Sequence, residues 1–333
     1  MFQKINPHSV STVTKVLCVD TLFRQNLITT ESTNFLHKLA EPINNVVSIK
    51  LSSVEIPNNW FLFAKYNQSN VFKITCYNIP KFDSKYEFLS SIPYEEYVIE
   101  VPEGNYLSDE FDVALRHQFV NIGGGLKFIG IDVNVINTKT EFFTGTSETK
   151  YPYTPYTTKT PEEDEDRFYF KIDFTIPNMG DTYPLYKTIG WTLGFRKYTY
   201  IVKYGDISIR KNELDNNTYY AYVESESSYG SSLLQYIFLE VDDFQNNVQS
   251  STIVSYNGNY NVSNNILAKV VVSSGQLTSI TDNGSDLIFK KRNYFGPIRL
   301  EKMHIRVLNR FGEVLNLNGN NFSFTLEIET SYS

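Results

Sequence analysis

The C-terminal stretch Phe322-Ser323-Phe324-Thr325-Leu326-Glu327-Ile328-Glu329 alternates apolar and polar residues without a break. That is the period of a strand with one face buried and one face wet. The same period recurs where Met303, Ile305 and Val307 alternate with His304, Arg306 and Leu308, and again over Phe168–Phe174. Upstream, Val47, Ile49 and Leu51 alternate with Ser48, Lys50 and Ser52, and the apolar phase then shifts to Val54 and Ile56. Such a shift marks a bulge or the end of a strand, and Pro57-Asn58-Asn59 stops the run. Further strands are expected at Val71–Tyr77, Tyr97–Val101, Leu126–Val135, Thr218–Val223, Gln235–Val241 and Ile266–Val272. Ile189–Arg196 is apolar, with Gly190 and Gly194 placed where neighbouring backbones pack closely.

One segment has a different period. Leu107, Phe111, Leu115 and Phe119 recur at four-residue spacing, with Ala114 on the same face, which predicts an amphipathic helix. Ser108 is the expected cap, and Asp109 and Glu110 sit where the helix dipole favours acids. Asn121 and Gly123-Gly124-Gly125 end it. These glycines follow a helix and precede a strand, so they read as a C-cap and turn and not as a phosphate loop.

Composition agrees with strands. Tyr and Phe occur 24 times each and Asn 32 times, against 5 Ala. Aromatics favour strands, Asn favours turns, and the best helix former is nearly missing. Hydrophobic residues at 41% against 20% charged exclude wholesale disorder. Short strands separated by Asn/Gly/Pro turns, with long early connections and one helix, predict an all-β chain folded as a jelly-roll β-sandwich. The expected organisation is an N-terminal arm over 1–40 and a single jelly roll over 41–333. Its insertion loop at about 142–166 is rich in Tyr, Thr and Pro, then acidic at Glu162–Asp166.

Several function classes lose support. The net charge is −7, and no basic run is longer than Lys290-Lys291-Arg292, which argues against nucleic acid as the main partner. The four histidines (His8, His37, His117 and His304) lie more than four positions apart, so no His-x-His or His-x-x-x-His metal pair exists. Neither a Gly-x-Ser-x-Gly elbow, a Walker loop nor a dinucleotide fingerprint is present. Glu95-Glu96 and Asp242-Asp243 are adjacent, and adjacent strand residues face opposite sides. No catalytic residue, metal or cofactor is therefore expected. Cys18 and Cys76 read as buried free thiols. There is no signal-peptide-like apolar run and no 18-residue apolar stretch, so a soluble protein made in a reducing compartment is expected.

Four blocks carry a family likeness. They are Val19–Arg24 followed by Pro42–Asn58; Val101-Pro102-Glu103-Gly104-Asn105-Tyr106; Ile189–Arg196; and Tyr294–Ile298 through Leu317–Glu327. Together, in this order, they resemble the minor capsid and penton jelly-roll proteins of nucleocytoplasmic large DNA viruses. The resemblance implies a structural role in an icosahedral shell, without enzymatic activity, in a chain made in the host cytoplasm and placed in the virion. It implies partners among the major capsid protein and neighbouring minor capsid proteins, and a homo-pentamer if the chain sits at a vertex. The expected contact residues are Phe23 and Arg24 in the arm and Tyr151, Tyr153 and Tyr156 on the proline-stiffened loop. The alternative expectation, motivated by the aromatics, is a carbohydrate-binding attachment protein.

Overall fold

A computed structural model describes residues 11–82, 88–146, 168–175, 183–203, 210–211, 218–230, 234–248, 265–272, 275, 278–282 and 290–332. Fifteen strands run along the described chain. They are β1 (Thr12–Asp20), β2 (Asn34–Pro57), β3 (Val71–Phe82), β4 (Phe88–Glu100), β5 (Ile129–Val133), β6 (Lys139–Thr146), β7 (Tyr169–Asp173) and β8 (Thr199–Val202). β9 (Arg210–Lys211), β10 (Thr218–Ser228), β11 (Tyr236–Asp242), β12 (Ile266–Val271), β13 (Ser279–Asp282), β14 (Lys291–Leu308) and β15 (Ser323–Ser331) follow. All the paired strands are antiparallel, and the molecule is all-β as expected.

The chain divides into two compact units, Met1–Trp60 with Leu234–Ser333, and Phe61–Leu233. In the first unit the strands pair from the outside of the chain inward. β1 pairs with β15, β2 with β14, and β11 with β12. This nesting of hairpins within hairpins is the winding of a jelly roll, and the sheet order is β1-β15-β2-β14-β11-β12. β13 continues the line of β14 along β2, with Asp282 opposite Val54 and Lys291 opposite Lys50. At the junction Lys290 Nζ meets the Asp282 carboxylate at 2.6 and 2.8 Å.

The phase shift read at Val54 has its cause in the register. Leu326 lies opposite Leu51 while Thr325 lies opposite Ser53, so Ser52 is the extra residue of a bulge and β2 runs on to Pro57. A larger slip separates Lys38↔Lys302 from Val46↔Ile298. Bulges of this kind bend long strands so that one sheet closes over its own core. Phe35, Ile49, Leu51, Val241, Met303, Ile305, Phe324 and Leu326 accordingly belong to one buried cluster. His304, between Met303 and Ile305, turns to the other face and meets Asn34 Oδ1 at 2.8 Å.

The expected arm over 1–40 is not separate from this sheet. β1 pairs along its whole length with β15, and β2 begins at Asn34. The pairing partner lies about three hundred residues downstream, which a local pattern does not reveal. The insertion also differs in extent, because the segment between β2 and β11 is the whole second unit. Within the expected loop at 142–166, residues 142–146 complete β6, and 147–166 lie outside the described residues.

The second unit pairs neighbours. β3 pairs with β4, β5 with β6, β7 with β8 and β9 with β10. Pairing of β3 with β7 and of β6 with β10 joins these into two four-stranded sheets, β4-β3-β7-β8 and β5-β6-β10-β9. Helix α1 (Ser108–Ile122) buries Phe111, Leu115 and Phe119 of the predicted stripe, while Leu107, its first member, is exposed. Its cap is Leu107 and not Ser108, and the Glu110 carboxylate accepts a bond from the Leu107 N–H at 2.9 Å. Leu126–Phe128, expected as strand, is a 3-10 turn leading into β5. Ile189–Thr192 forms a one-turn helix, α2. Gly194 has φ +95, and a Cβ there would lie 2.0 Å from the Ser227 carbonyl oxygen, the close backbone approach that the glycine predicted. The core is aromatic, with Phe63 stacked on Phe111 at 5.1 Å and Phe174 against Phe195 at 5.2 Å.

Candidate interaction surface

Two of the five expected contact residues, Phe23 and Arg24, lie in the loop that links β1 to β2. The other three (Tyr151, Tyr153 and Tyr156) fall outside the described residues. The loop is anchored at its start, where Thr21 N–H donates to Phe322 O at 2.9 Å and Thr21 Oγ1 accepts from Phe322 N–H at 2.8 Å. Arg24 then turns inward. Its Nη1 donates to Thr21 O at 2.7 Å and Asn321 Oδ1 at 2.6 Å. Its Nη2 donates to Thr30 O at 2.9 Å and Leu27 O at 3.2 Å, and Nε reaches Thr30 O and Oγ1, both at 3.2 Å. All three guanidinium nitrogens are thus committed within the loop. Asn26 supplies the left-handed turn, at φ 58.

This bonding fixes the backbone and leaves apolar side chains outside. Phe23 is 80% exposed and Ile28 98%, with Leu22 and Leu27 about half exposed. Four apolar side chains on a pre-ordered loop form the kind of surface that binding can bury without first ordering the chain. Phe23 was legible in the sequence, whereas Leu22, Leu27 and Ile28 were not. The signal that finds them is the combination of an Arg in a short apolar loop with main-chain oxygens to satisfy it.

A second surface feature lies on the open face of the β4-β3-β7-β8 sheet. Tyr94, Tyr77 and Tyr169 occupy one cross-strand row. The Tyr77 and Tyr169 rings stack at 4.5 Å and Lys203 Nζ lies 4.9 Å from the Tyr169 centroid. Sugar rings bind flat aromatic faces, and here those of Tyr77 and Tyr169 are already engaged with each other and with a lysine.

The buried polar groups serve as struts. Arg292 and Asp243, both buried, pair at 2.9 Å, and Arg292 also donates to Val241 O and Asn265 O. The Tyr294 hydroxyl donates to the same Asp243 carboxylate, and burial with that charge beside it pushes the phenol's pKa up. In the second unit, the Glu95 carboxylate accepts from the Tyr97 hydroxyl and the Gly125 N–H. A Cβ on Gly125 would lie 2.6 Å from Cys76 Cβ, so the glycine lets the turn after α1 close onto β3. Burial pushes the Cys76 thiol up and keeps it protonated. Cys18, expected to be buried, is exposed because its place in β1 faces outward; both cysteines are free thiols. Arg116 pairs with Asp112 and Asp132 and donates to Ile131 O at 3.1 Å, joining α1 to the edge of β5. His37 is half-buried in β2 and His117 is exposed on α1. Among the described residues no group of three or more His, Cys, Asp or Glu side chains is placed to hold a metal, and no helix is long and apolar enough to cross a membrane.

No protein-family profile matches the chain, and no curated protein sequence matches it. Among solved structures, the mavirus penton protein aligns over 96% of this chain and 99% of its own, at 10% identity and a TM-score of 0.45. A structure of the Sputnik virophage aligns over 95% of this chain and 97% of its own, at 13% identity and a TM-score of 0.36.

Proposed function

We propose that this chain is a structural protein of a viral capsid, a penton or minor capsid component of an icosahedral shell of the large DNA virus type, acting without catalysis. The observation that carries the reading is the pre-ordered apolar loop at Leu22–Ile28, mounted on a jelly roll whose two chain ends are locked together by the β1–β15 pair. A shell subunit needs a rigid block with contact surfaces ready before assembly. The four sequence blocks that resemble capsid proteins support the same reading, and three of them run into elements that build a core: β2, the α2 turn and β15. In this account Phe23 with Leu22, Leu27 and Ile28 makes contacts with neighbouring capsid proteins, while Arg24 positions the loop. Tyr151, Tyr153 and Tyr156 are proposed as additional contacts.

Quantitative mass spectrometry of purified virions tests the proposal. The chain is expected at a fixed ratio to the major capsid protein, with five copies per vertex if it is the penton. Its absence from purified virions, or a ratio that varies between preparations, would rule the reading out.

A further inference from the structure

Among the described residues, β1 is the outermost strand of the first unit's sheet. Its register with β15 runs from Thr12↔Ser331 to Asp20↔Ser323 without a shift. The hydrogen bonds at its two ends define which residues face inward. Tyr332 N–H donates to Ser11 O, and Thr21 N–H donates to Phe322 O. In an antiparallel pair, bonded and non-bonded positions alternate. Ser11, Val13, Lys15, Leu17, Val19 and Thr21 therefore bond to β15, and the main-chain groups of Thr12, Thr14, Val16, Cys18 and Asp20 point away from the sheet. The side chains of Thr12, Thr14, Val16 and Cys18 are exposed as well.

Among the described residues, β12 at the far edge of the same sheet has six residues, and the sheet edges of the second unit are blunted. β4 carries Pro93 and the acids Glu95, Glu96 and Glu100. The Ile131 carbonyl of β5 is taken by Arg116, and β8 and β9 have only four and two residues. Proteins guard long regular edges in these ways unless the edge is used. β1, with nine residues, has no proline, no bulge and a single lysine.

We infer that β1 is a docking edge for a second copy of this chain, joined antiparallel through β1 about a two-fold axis at Val16. The self-complementarity of the strand selects this occupant. With Val16 opposite Val16, all five outward residues find partners: Thr12 with Asp20, Thr14 with Cys18, and the reverse. Axes at Thr14 or Cys18 leave some of them unpaired. Directly opposed side chains carry no like charges, since Lys15 meets Leu17 and Asp20 meets Thr12, and Val13 meets Val19. The same register carries the exposed Leu22–Phe23 turn past the end of the neighbouring β1, towards the exposed Tyr332 that pairs with Ser11 there. A two-fold contact cannot close a ring of five, so this pairing goes with the minor-capsid form of the proposed function and not with the vertex form.

Sedimentation of the full chain tests it. The wild type is expected at twice the 38.4 kDa chain mass. Val16→Pro removes an outward N–H without touching the bonds to β15. It should give a monomer with unchanged circular dichroism and a thermal transition that no longer rises with protein concentration. Val16→Lys and Val16→Glu each place like charges face to face, weakening the dimer at least ~100-fold. Mixing those two variants should restore a dimer, a result that a folding defect does not produce. A wild type that stays monomeric up to about 100 µM, including one that binds only other proteins' extended segments, would overturn the inference. So would a dimer or larger ring that survives Val16→Pro and Val16→Lys. A pentamer unaffected by either variant would contradict the β1 contact and leave the vertex reading standing.

Discussion

The two units of this molecule are built from the same kinds of strand but are wired in opposite ways. In the first, partners come from the two ends of the chain, so β1 waits for β15 and β2 for β14 and β15. In the second, most strands have a partner nearby in the chain, and longer crossovers join β3 to β7 and β6 to β10. Closing a long loop costs chain entropy before any contact returns it. The nested unit therefore trades folding speed for locked ends, and the inserted unit gives a locally encoded block that does not depend on either terminus.

The largest expected difference is kinetic. In pulse-labelled refolding, amides of β3, β4, β5 and β6 should become protected ~10-fold or more sooner than those of β1, β2 and β15. Simultaneous protection would remove the distinction between the units. Next come two substitutions, one in each core. Asp243→Ala strands the buried Arg292 and should cost about 3–5 kcal/mol, seen as faster native-state hydrogen exchange in the first unit. Phe174→Ala, in the aromatic core, should cost about 3–5 kcal/mol, with faster exchange confined to the second unit. Exchange rising equally in both units for either variant would mean that they unfold as one.

A smaller effect is expected from Arg24→Ala. It removes the side-chain donor from the Leu27 and Thr30 carbonyls, while the main-chain N–H of residue 24 still reaches Thr21 O, at a cost of about 1–3 kcal/mol. Protease cleavage should then concentrate at 22–30 while the rest of the sheet keeps its protection.

The pH dependence is the finest test. Burial holds the His37 imidazole below its ordinary value. The unfolded chain then takes the proton first, so stability is full above about pH 6.5 and falls as the pH drops below it; His37→Gln should flatten that slope. At lower pH, hydrogen bonds from Ser52 and Lys50 hold Glu327 down, and those from Ser48 and Lys291 hold Glu329 down. Their contribution is present above the ordinary carboxylate range and is lost as pH falls through the lowered folded values. In the second unit, burial raises Asp173, but hydrogen bonds from Thr175 and Lys171 outweigh it and hold it down too. The alkaline limb separates the units. Burial raises Tyr97, Tyr106, Tyr229 and Tyr200 in the second unit, Tyr200 to about 12 with Glu226 beside it. In the first unit the same is seen at Tyr294. The unfolded phenols ionise first, so exchange in the second unit should rise more steeply above about pH 10.

The strands that alternate cleanly were legible in the sequence, because a half-buried strand writes its period directly: Phe322–Glu329 and Phe168–Phe174 lie where the pattern put them. The helix was legible for the same reason, apart from its cap. Pairing was not legible. Alternation says that β1 is a strand but not that its partner is β15, and this made residues 1–40 read as an arm. Ile189–Arg196 has no period, so its one-turn helix was invisible while the tight approach at Gly194 was not. At the candidate site, an exposed Phe23 could be guessed from sequence. The inward turn of Arg24 could not be, because it takes the folded loop to bring the Thr21, Leu27 and Thr30 oxygens round the guanidinium and the β1–β15 pairing to add the Asn321 side chain.

Residue-level imaging of purified virions is the sharpest test of whether this chain is a jelly-roll shell protein. The expected result is density for residues 12–60 and 234–332 at a fixed icosahedral position, with Phe23 and Ile28 buried against a neighbouring subunit. Virions whose shell density is fully assigned to other chains, with none left for this one, would contradict it.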